Sequence, residues 1–165
     1  MGEEPTIVTE SVEQTRRAGE LLGQLVTSGD VVALTGDLGA GKTVLVQGIA
    51  SGLGVVGHVP SPTFNILLVH RAPLTLFHFD LYRLQEARQL ADVDFFETLE
   101  SGGVSVIEWA DRFPAELPPD RLDVTITAPD ETTRRLLVSG TGPRAHRLER
   151  RWVEKWQRET GDVRP

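Results

Sequence analysis

The chain of 165 residues contains no cysteine, which removes disulfides, thiolate metal sites and cysteine nucleophiles. Positive charge is scarce as well: 17 Lys+Arg stand against 24 Asp+Glu, a formal net charge of -7. Such a surface repels a phosphate backbone, which argues against non-specific nucleic-acid binding by the whole surface. Long apolar runs are missing; the longest are a handful of residues, such as Val31-Val32-Ala33-Leu34, against the roughly 18 of a membrane-spanning helix. The opening MGEEPT is acidic, without the basic and apolar regions of a secretory signal, so a cytoplasmic location is expected. With 39% hydrophobic residues, the length suits one domain with a real core and is too short for two ordinary domains.

Lysine is the scarcest charged residue, present only at Lys42 and Lys155. A lysine inside a glycine-rich segment therefore draws attention to Lys42. Around it, Val31 to Thr35 is a continuous apolar, β-branched run, the pattern of a strand buried on both faces of a parallel sheet. Val44, Leu45, Ile49, Ala50 and Leu53 then continue at helical spacing. Residues 31–53 thus read strand, loop, helix.

The rest of the chain predicts an α/β arrangement. Thr6 to Thr9 is a short strand, and Ser11 with Gln14 three residues on forms a capping-box pattern opening a helix. Ser28-Gly29-Asp30 ends that helix. Ile66 to His70 and Leu74 to Phe79 read as two strands joined by Arg71-Ala72-Pro73 in a hairpin, so the sheet is expected to be mixed. Gln85 to Leu99 predicts one helix, Val104 to Ile107 a buried strand, and Leu122 to Thr127 with Leu136 to Ser139 a closing pair around Pro129-Asp130. The expected boundaries are a domain over 1–140, then a linker and charged amphipathic helix over 141–165, on which Leu148, Trp152 and Trp156 recur every four residues. From Arg144 to Arg164 the tail carries seven basic and four acidic residues, +3 net, leaving the remainder at -10.

Gly36-Asp37-Leu38-Gly39-Ala40-Gly41-Lys42-Thr43 matches G-x-x-x-x-G-K-[ST] in full, with the strand before and helix after that the motif requires. Glycines let successive N–H groups curl around phosphate oxygens, and the helix N-terminus adds positive potential. Asp37, Gly39, Ala40, Gly41, Lys42, Thr43 and Val44 are the candidate nucleotide-binding residues. Lys42 reaches the β- and γ-phosphates, and the Thr43 hydroxyl ligates Mg²⁺. Such a site also needs an acid at the end of a neighbouring strand. Asp80 and Glu108 both qualify. An Asn-Lys-x-Asp element for guanine is impossible with these lysines, so ATP/ADP is the expected nucleotide. His58, His70, His78 and His146 lack metal-ligand spacing; His78 alternates with Phe77 and Phe79, which predicts a structural or surface role.

GDLGAGKT at 36–43, SPTF at 61–64, HFDLYRL at 78–84 and VIEWADRF at 106–113 together make the chain resemble the bacterial TsaE family of tRNA threonylcarbamoyladenosine biosynthesis proteins. The resemblance implies a single P-loop NTPase domain with a central mixed, mainly parallel sheet flanked by helices, here followed by a C-terminal charged helix. It implies an Mg²⁺-dependent ATPase, weak alone, that binds the TsaD and TsaB pair and resets it through ATP hydrolysis, tRNA being engaged through that complex. By the same resemblance Thr63 lies in a switch-like loop near the γ-phosphate, Glu108 is a metal ligand, Asp80 is the second essential acid, and Trp109 packs beside the base or ribose. Arg83 and Arg112 stay open between ion pairing and charge stabilisation. The rival readings are a P-loop small-molecule kinase, although no lid insertion separates Lys42 from Asp80, and a nucleotide-gated binding module. The tail is open between docking on its own domain, a partner and tRNA.

Overall fold

The computed structural model describes residues 4–37, 39–57, 59 and 66–161. Its strands are β1 (Thr6–Thr9), β2 (Val31–Thr35), β3 (Leu67–His70), β4 (Leu76–Asp80), β5 (Val104–Glu108), β6 (Leu122–Thr127) and β7 (Arg134–Gly140). They form one sheet in the order β1-β7-β6-β2-β5-β4-β3. The four central strands, β6, β2, β5 and β4, are mutually parallel. Antiparallel pairs add β7 and β1 on one side and β3 on the other. The sheet is mixed and mainly parallel, as the sequence predicts. Fully buried β5 and nearly buried β2 occupy its middle, which is why both read as unbroken apolar runs.

Helices α1 (Val12–Leu25) and α2 (Lys42–Leu53) cover one face. The Ser11 side chain accepts the Gln14 N–H at 3.1 Å, and the Gln14 side chain accepts the Glu10 N–H at 2.8 Å, so the capping box closes one residue wider than its usual form. Ile7, Leu21, Leu22, Val32, Leu34, Leu45 and Ile49 make the core between these helices and the sheet. A second core on the opposite face gathers Val31, Ala33, Phe79, Leu90, Phe95 and Ile107, with Phe79 and Phe95 edge-to-face at 5.0 Å.

That second face corrects one expectation. The spacing predicts one helix over 85–99; the structure has two short ones, α3 (Gln89–Asp92) and α4 (Phe95–Leu99). They break at Asp94, which takes a left-handed backbone with φ 54°, a conformation that Asp tolerates better than most residues. The break lets Leu90 and Phe95 both enter the core, each fully buried.

Helix α5 (Pro143–Thr160) packs on α1 and β7 rather than standing away from the domain. Ala145, Leu148, Trp152 and Trp156 are its buried stripe, and Trp152 Nε1 donates to the Ala18 carbonyl at 2.9 Å. Its N-terminus is capped from the β5–β6 connection, where Asp120 accepts the Ala145 N–H at 2.8 Å and the Arg144 N–H at 3.2 Å, a carboxylate where the helix dipole favours one. Near its far end Arg17 and Glu159 form a two-pronged pair. Among the described residues no helix is long and apolar enough to cross a membrane.

The α1–α2 contact is made by glycines. A Cβ on Gly48 would lie 2.1 Å from the Arg16 carbonyl oxygen, on Gly52 2.2 Å from that of Glu20, and on Gly19 2.3 Å from that of Leu45. The backbones touch, so no side chain can give way. We predict that Gly48→Ala destabilises the protein by about 3 kcal/mol, the upper end of overpacking costs, and lowers the melting temperature by roughly 6–12 °C. Thermal denaturation followed by circular dichroism checks this; a loss below about 0.5 kcal/mol, the usual surface range, would mean that the helices separate without penalty.

Candidate functional site

Strand periodicity brings the site together. Leu76, His78 and Asp80 alternate with Phe77 and Phe79 along β4, and Val104, Val106 and Glu108 alternate with Ser105 and Ile107 along β5. Leu76, Val104 and Val106 belong to the core under α1 and α2, whereas Phe79 and Ile107 belong to the opposite one. His78, Asp80 and Glu108 therefore share the face on which α2 begins. Parallel pairing sets Asp80 beside Glu108, and Glu108 beside Leu34. Three strands thus end in a row, and the glycine-rich loop leaves the middle region of the sheet next to both acids, the usual location of ligands in open parallel sheets.

The loop turns into α2 at Gly41, whose φ of 107° glycine adopts without penalty. Lys42 follows directly and is only 6% exposed. Its ammonium donates to the Gly36 carbonyl and, at 3.2 Å, to that of Asp37. The same group lies 4.0 Å from the centroid of the Trp109 ring, a cation–π contact. Burial pushes the Lys42 pKa down, opposed by the negative charges of Glu108, Asp80, Asp111 and Asp37. Trp109 has a left-handed backbone with φ 57°, rare for a bulky residue and characteristic of strained functional positions. Its ring packs on Tyr82 with centroids 4.8 Å apart.

Burial holds the Asp80 carboxyl above the usual carboxylate range; the Tyr82 N–H, donating to Oδ1 at 3.0 Å, opposes this, and Glu108 reinforces it. Glu108 is 3% exposed, and its Oε2 lies 2.5 Å from Nε2 of His78, which is completely buried. The surface option expected for His78 is thereby excluded. Its other ring nitrogen, Nδ1, is buried without a hydrogen-bond partner among the described residues. Burial also lowers the pKa of His70, with a smaller contribution from His78.

Of the residues expected from sequence, Lys42, Asp80, Glu108 and Trp109 converge at the loop, and Asp37, Gly39, Ala40, Gly41, Thr43 and Val44 form the loop and the first turn of α2. Thr63, with the rest of SPTF, lies outside the described residues. Arg112 is held by a bond from Nε to the Leu84 carbonyl at 2.7 Å. Two features escape sequence reasoning. One is the His78–Glu108 pair. The other is a cavity of about 280 Å³ beside the loop, lined by Ser11, Thr15, Gly41, Val44, Glu131 and Arg134 among others, near the lower end of ligand pockets at roughly 300–1,000 Å³. Its walls come from three distant segments, and no local pattern signals it.

The Thr43 hydroxyl and Glu108 carboxylate are hard oxygen donors of the kind Mg²⁺ takes. Among the described residues no group of three or more His, Cys, Asp and Glu could hold a metal. A cation here would therefore draw its remaining ligands from phosphate oxygens and water, which is the usual habit of Mg²⁺.

The chain resembles known proteins over most of its length. Residues 9–136 match the family profile described as threonylcarbamoyl adenosine biosynthesis protein TsaE. A Treponema pallidum protein named tRNA threonylcarbamoyladenosine biosynthesis protein TsaE is 39% identical over 132 residues, covering 80% of this chain and 98% of its own. The namesake from Bacillus subtilis is 35% identical over 141 residues, 85% and 88% of the two chains. That from a Nostoc strain is 41% identical over 131 residues, 77% and 80%. The crystal structure of YdiB from Bacillus subtilis superposes with a TM-score of 0.76 at 29% identity, covering 96% of this chain and 97% of that one.

A carboxyl held above its ordinary range binds its proton more tightly in the folded state than in the unfolded one. Its contribution to stability is complete below the ordinary carboxylate pKa and is lost as pH rises through the raised value. Asn at position 80 removes the buried charge and keeps the Oδ1 acceptor for Tyr82. We predict that the nucleotide-free Asp80→Asn protein melts at a higher temperature than the native one at pH 7, the advantage shrinking as pH falls toward about 4. Scanning calorimetry across that window decides it; a lower melting temperature at pH 7 would show that burial does not dominate this carboxyl.

Proposed function

The chain belongs to the TsaE family of threonylcarbamoyl adenosine biosynthesis proteins, and on that premise we propose that it is the ATP-hydrolysing subunit of the machinery modifying the adenosine next to the tRNA anticodon. One observation carries the reading: the buried Lys42 ammonium stands in the mouth of the glycine-rich loop with Asp80 and Glu108 paired in register beside it. A lysine and two acids at the C-terminal edge of parallel strands are the parts that phosphoryl transfer from a nucleoside triphosphate requires.

In this reading the loop N–H groups between Asp37 and Val44 cradle the phosphates, and Lys42 exchanges the Gly36 and Asp37 carbonyls for β- and γ-phosphate oxygens. Thr43 and Glu108 hold Mg²⁺, which when bound neutralises charge on those phosphates. Asp80, a carboxylate at the same edge, orients the attacking water. The Trp109 ring flanks the phosphate end, since it already covers the Lys42 ammonium. The base occupies the cavity between Ser11, Val44 and Arg134, on the helix side of the loop. Thr63 senses the γ-phosphate of the bound nucleotide. TsaD and TsaB are the proposed partners, reset by hydrolysis between rounds of transfer, and turnover is slow until they supply the missing contacts.

The test is threonylcarbamoyladenosine formation over many turnovers on unmodified tRNA, with purified threonylcarbamoyl-adenylate synthase and TsaD–TsaB, with and without this chain, alongside ATP hydrolysis. Sustained modification is expected to require the chain. Lys42→Ala and Glu108→Ala are each expected to lower hydrolysis by about 10²-fold or more, the scale of losing one transition-state charge contact. If omission of the chain changes nothing while it phosphorylates a small hydroxyl acceptor, the kinase reading replaces this one.

A further inference from the structure

Among buried polar groups outside the loop, the most unusual is the imidazole of His78. It is completely enclosed, bonds to Glu108 Oε2 at 2.5 Å, and among the described residues leaves Nδ1 without a partner. We infer that His78 is the positioning residue of the site: its Nε2–H holds the Glu108 carboxylate in the orientation that receives the metal of the bound nucleotide. The inference rests on the reading of Glu108 as a metal ligand and extends it to a residue on a different strand.

The geometry supplies the reasons. His78 lies opposite Val106 in the β4–β5 register, and Asp80 lies opposite Glu108, so the imidazole reaches Glu108 diagonally, from one pair deeper in the sheet, on the same face. An ionised Oε2 only accepts, so Nε2 is the donor in this bond. The bond occupies Oε2 and leaves Oε1 for a ligand. A buried carboxylate without this donor has a strong alternative in the Lys42 ammonium, on which Glu108 acts more strongly than the other neighbouring acids. Closing onto Lys42 would remove both groups from phosphate and metal binding. His78 thus keeps the acid and the lysine apart.

The energetic pattern agrees. A buried polar pair is weak support for stability, and an orphaned ring nitrogen adds a desolvation cost. A residue present only to fill space would do better as a leucine or phenylalanine, like its neighbours Phe77 and Phe79. Partners that orient ligating carboxylates typically govern metal affinity by 10–100-fold.

The experiment is calorimetric titration of the full-length chain with ATP, in EDTA and at a series of Mg²⁺ concentrations, for the native protein, His78→Leu, His78→Gln and His78→Asn. Gln extends an N–H donor to about the Nε2 position; Asn falls short. Binding in EDTA is expected to change by less than about threefold in all variants. The Mg²⁺ concentration giving half the metal-dependent gain in affinity is expected to rise about tenfold or more in His78→Leu and His78→Asn, and to stay within about threefold of native in His78→Gln. Should His78→Leu fail to fold, as judged by its melting transition, the Gln and Asn pair alone makes the comparison. Equal losses with and without Mg²⁺, no shift, or a Gln variant as impaired as Asn would each overturn the positioning role. A native protein whose ATP binding is indifferent to Mg²⁺ would instead overturn the metal-ligand reading of Glu108.

Discussion

The backbone contact between α1 and α2 is the constraint from which the site's geometry follows. Gly19 and Gly23 on one helix meet Gly48 and Gly52 on the other so closely that any Cβ would collide with a carbonyl. Contact at this distance fixes the height of α2 over the sheet. The start of α2 is Lys42, so the same contact fixes where the ammonium enters the loop. Leu45 and Ile49 on α2 and Leu21 and Leu22 on α1 then fill the space against β2. Packing that is dense at the helix crossing leaves the mouth of the loop as the place where charged groups gather.

That gathering is costly, and its cost is informative. Lys42, Asp80, Glu108 and His78 lie within a region where burial lowers the pKa of the lysine and raises that of Asp80. Opposite shifts of neighbouring groups, both driven first by desolvation, are a common signature of functional sites. The Lys42 bonds to loop carbonyls and its contact with Trp109 hold the ammonium in the mouth of the loop, where the proposed function has phosphate oxygens replace the carbonyls. The left-handed backbone at Trp109 belongs to the same economy, since strain of this kind persists only where surrounding structure imposes it.

Helix α5 supplies support from outside. Its two tryptophans close the edge of the α1 core, and the Asp120 cap with the Arg17–Glu159 pair ties it down near both ends. Arg147, Arg150 and Arg151 remain exposed on its outer side. The apolar stripe thus goes to the chain's own domain, while the basic surface stays outward.

Much was legible from sequence because it is local. The full glycine-rich motif between a buried strand and a helix located Lys42 and the loop, and the acids at the ends of β4 and β5 were visible as strand-end carboxylates. The hairpin of β3 and β4 and the closing pair β6 and β7 followed from turn residues between alternating segments. The single helix expected over 85–99 was wrong because apolar spacing describes a face and does not report the break that lets Leu90 and Phe95 enter one core. His78 lay between two phenylalanines, and its partner is 30 residues away; only the pairing register between β4 and β5 brings them together. The cavity of Ser11, Glu131 and Arg134 and the glycine contact of α1 with α2 are likewise products of chain crossings. Sequence alone determined the motif, the strand ends and the family, because those depend on residues close together in the chain. Tertiary structure decided which acid meets which base and how near the helices come, because those depend on distances between segments that no local pattern encodes.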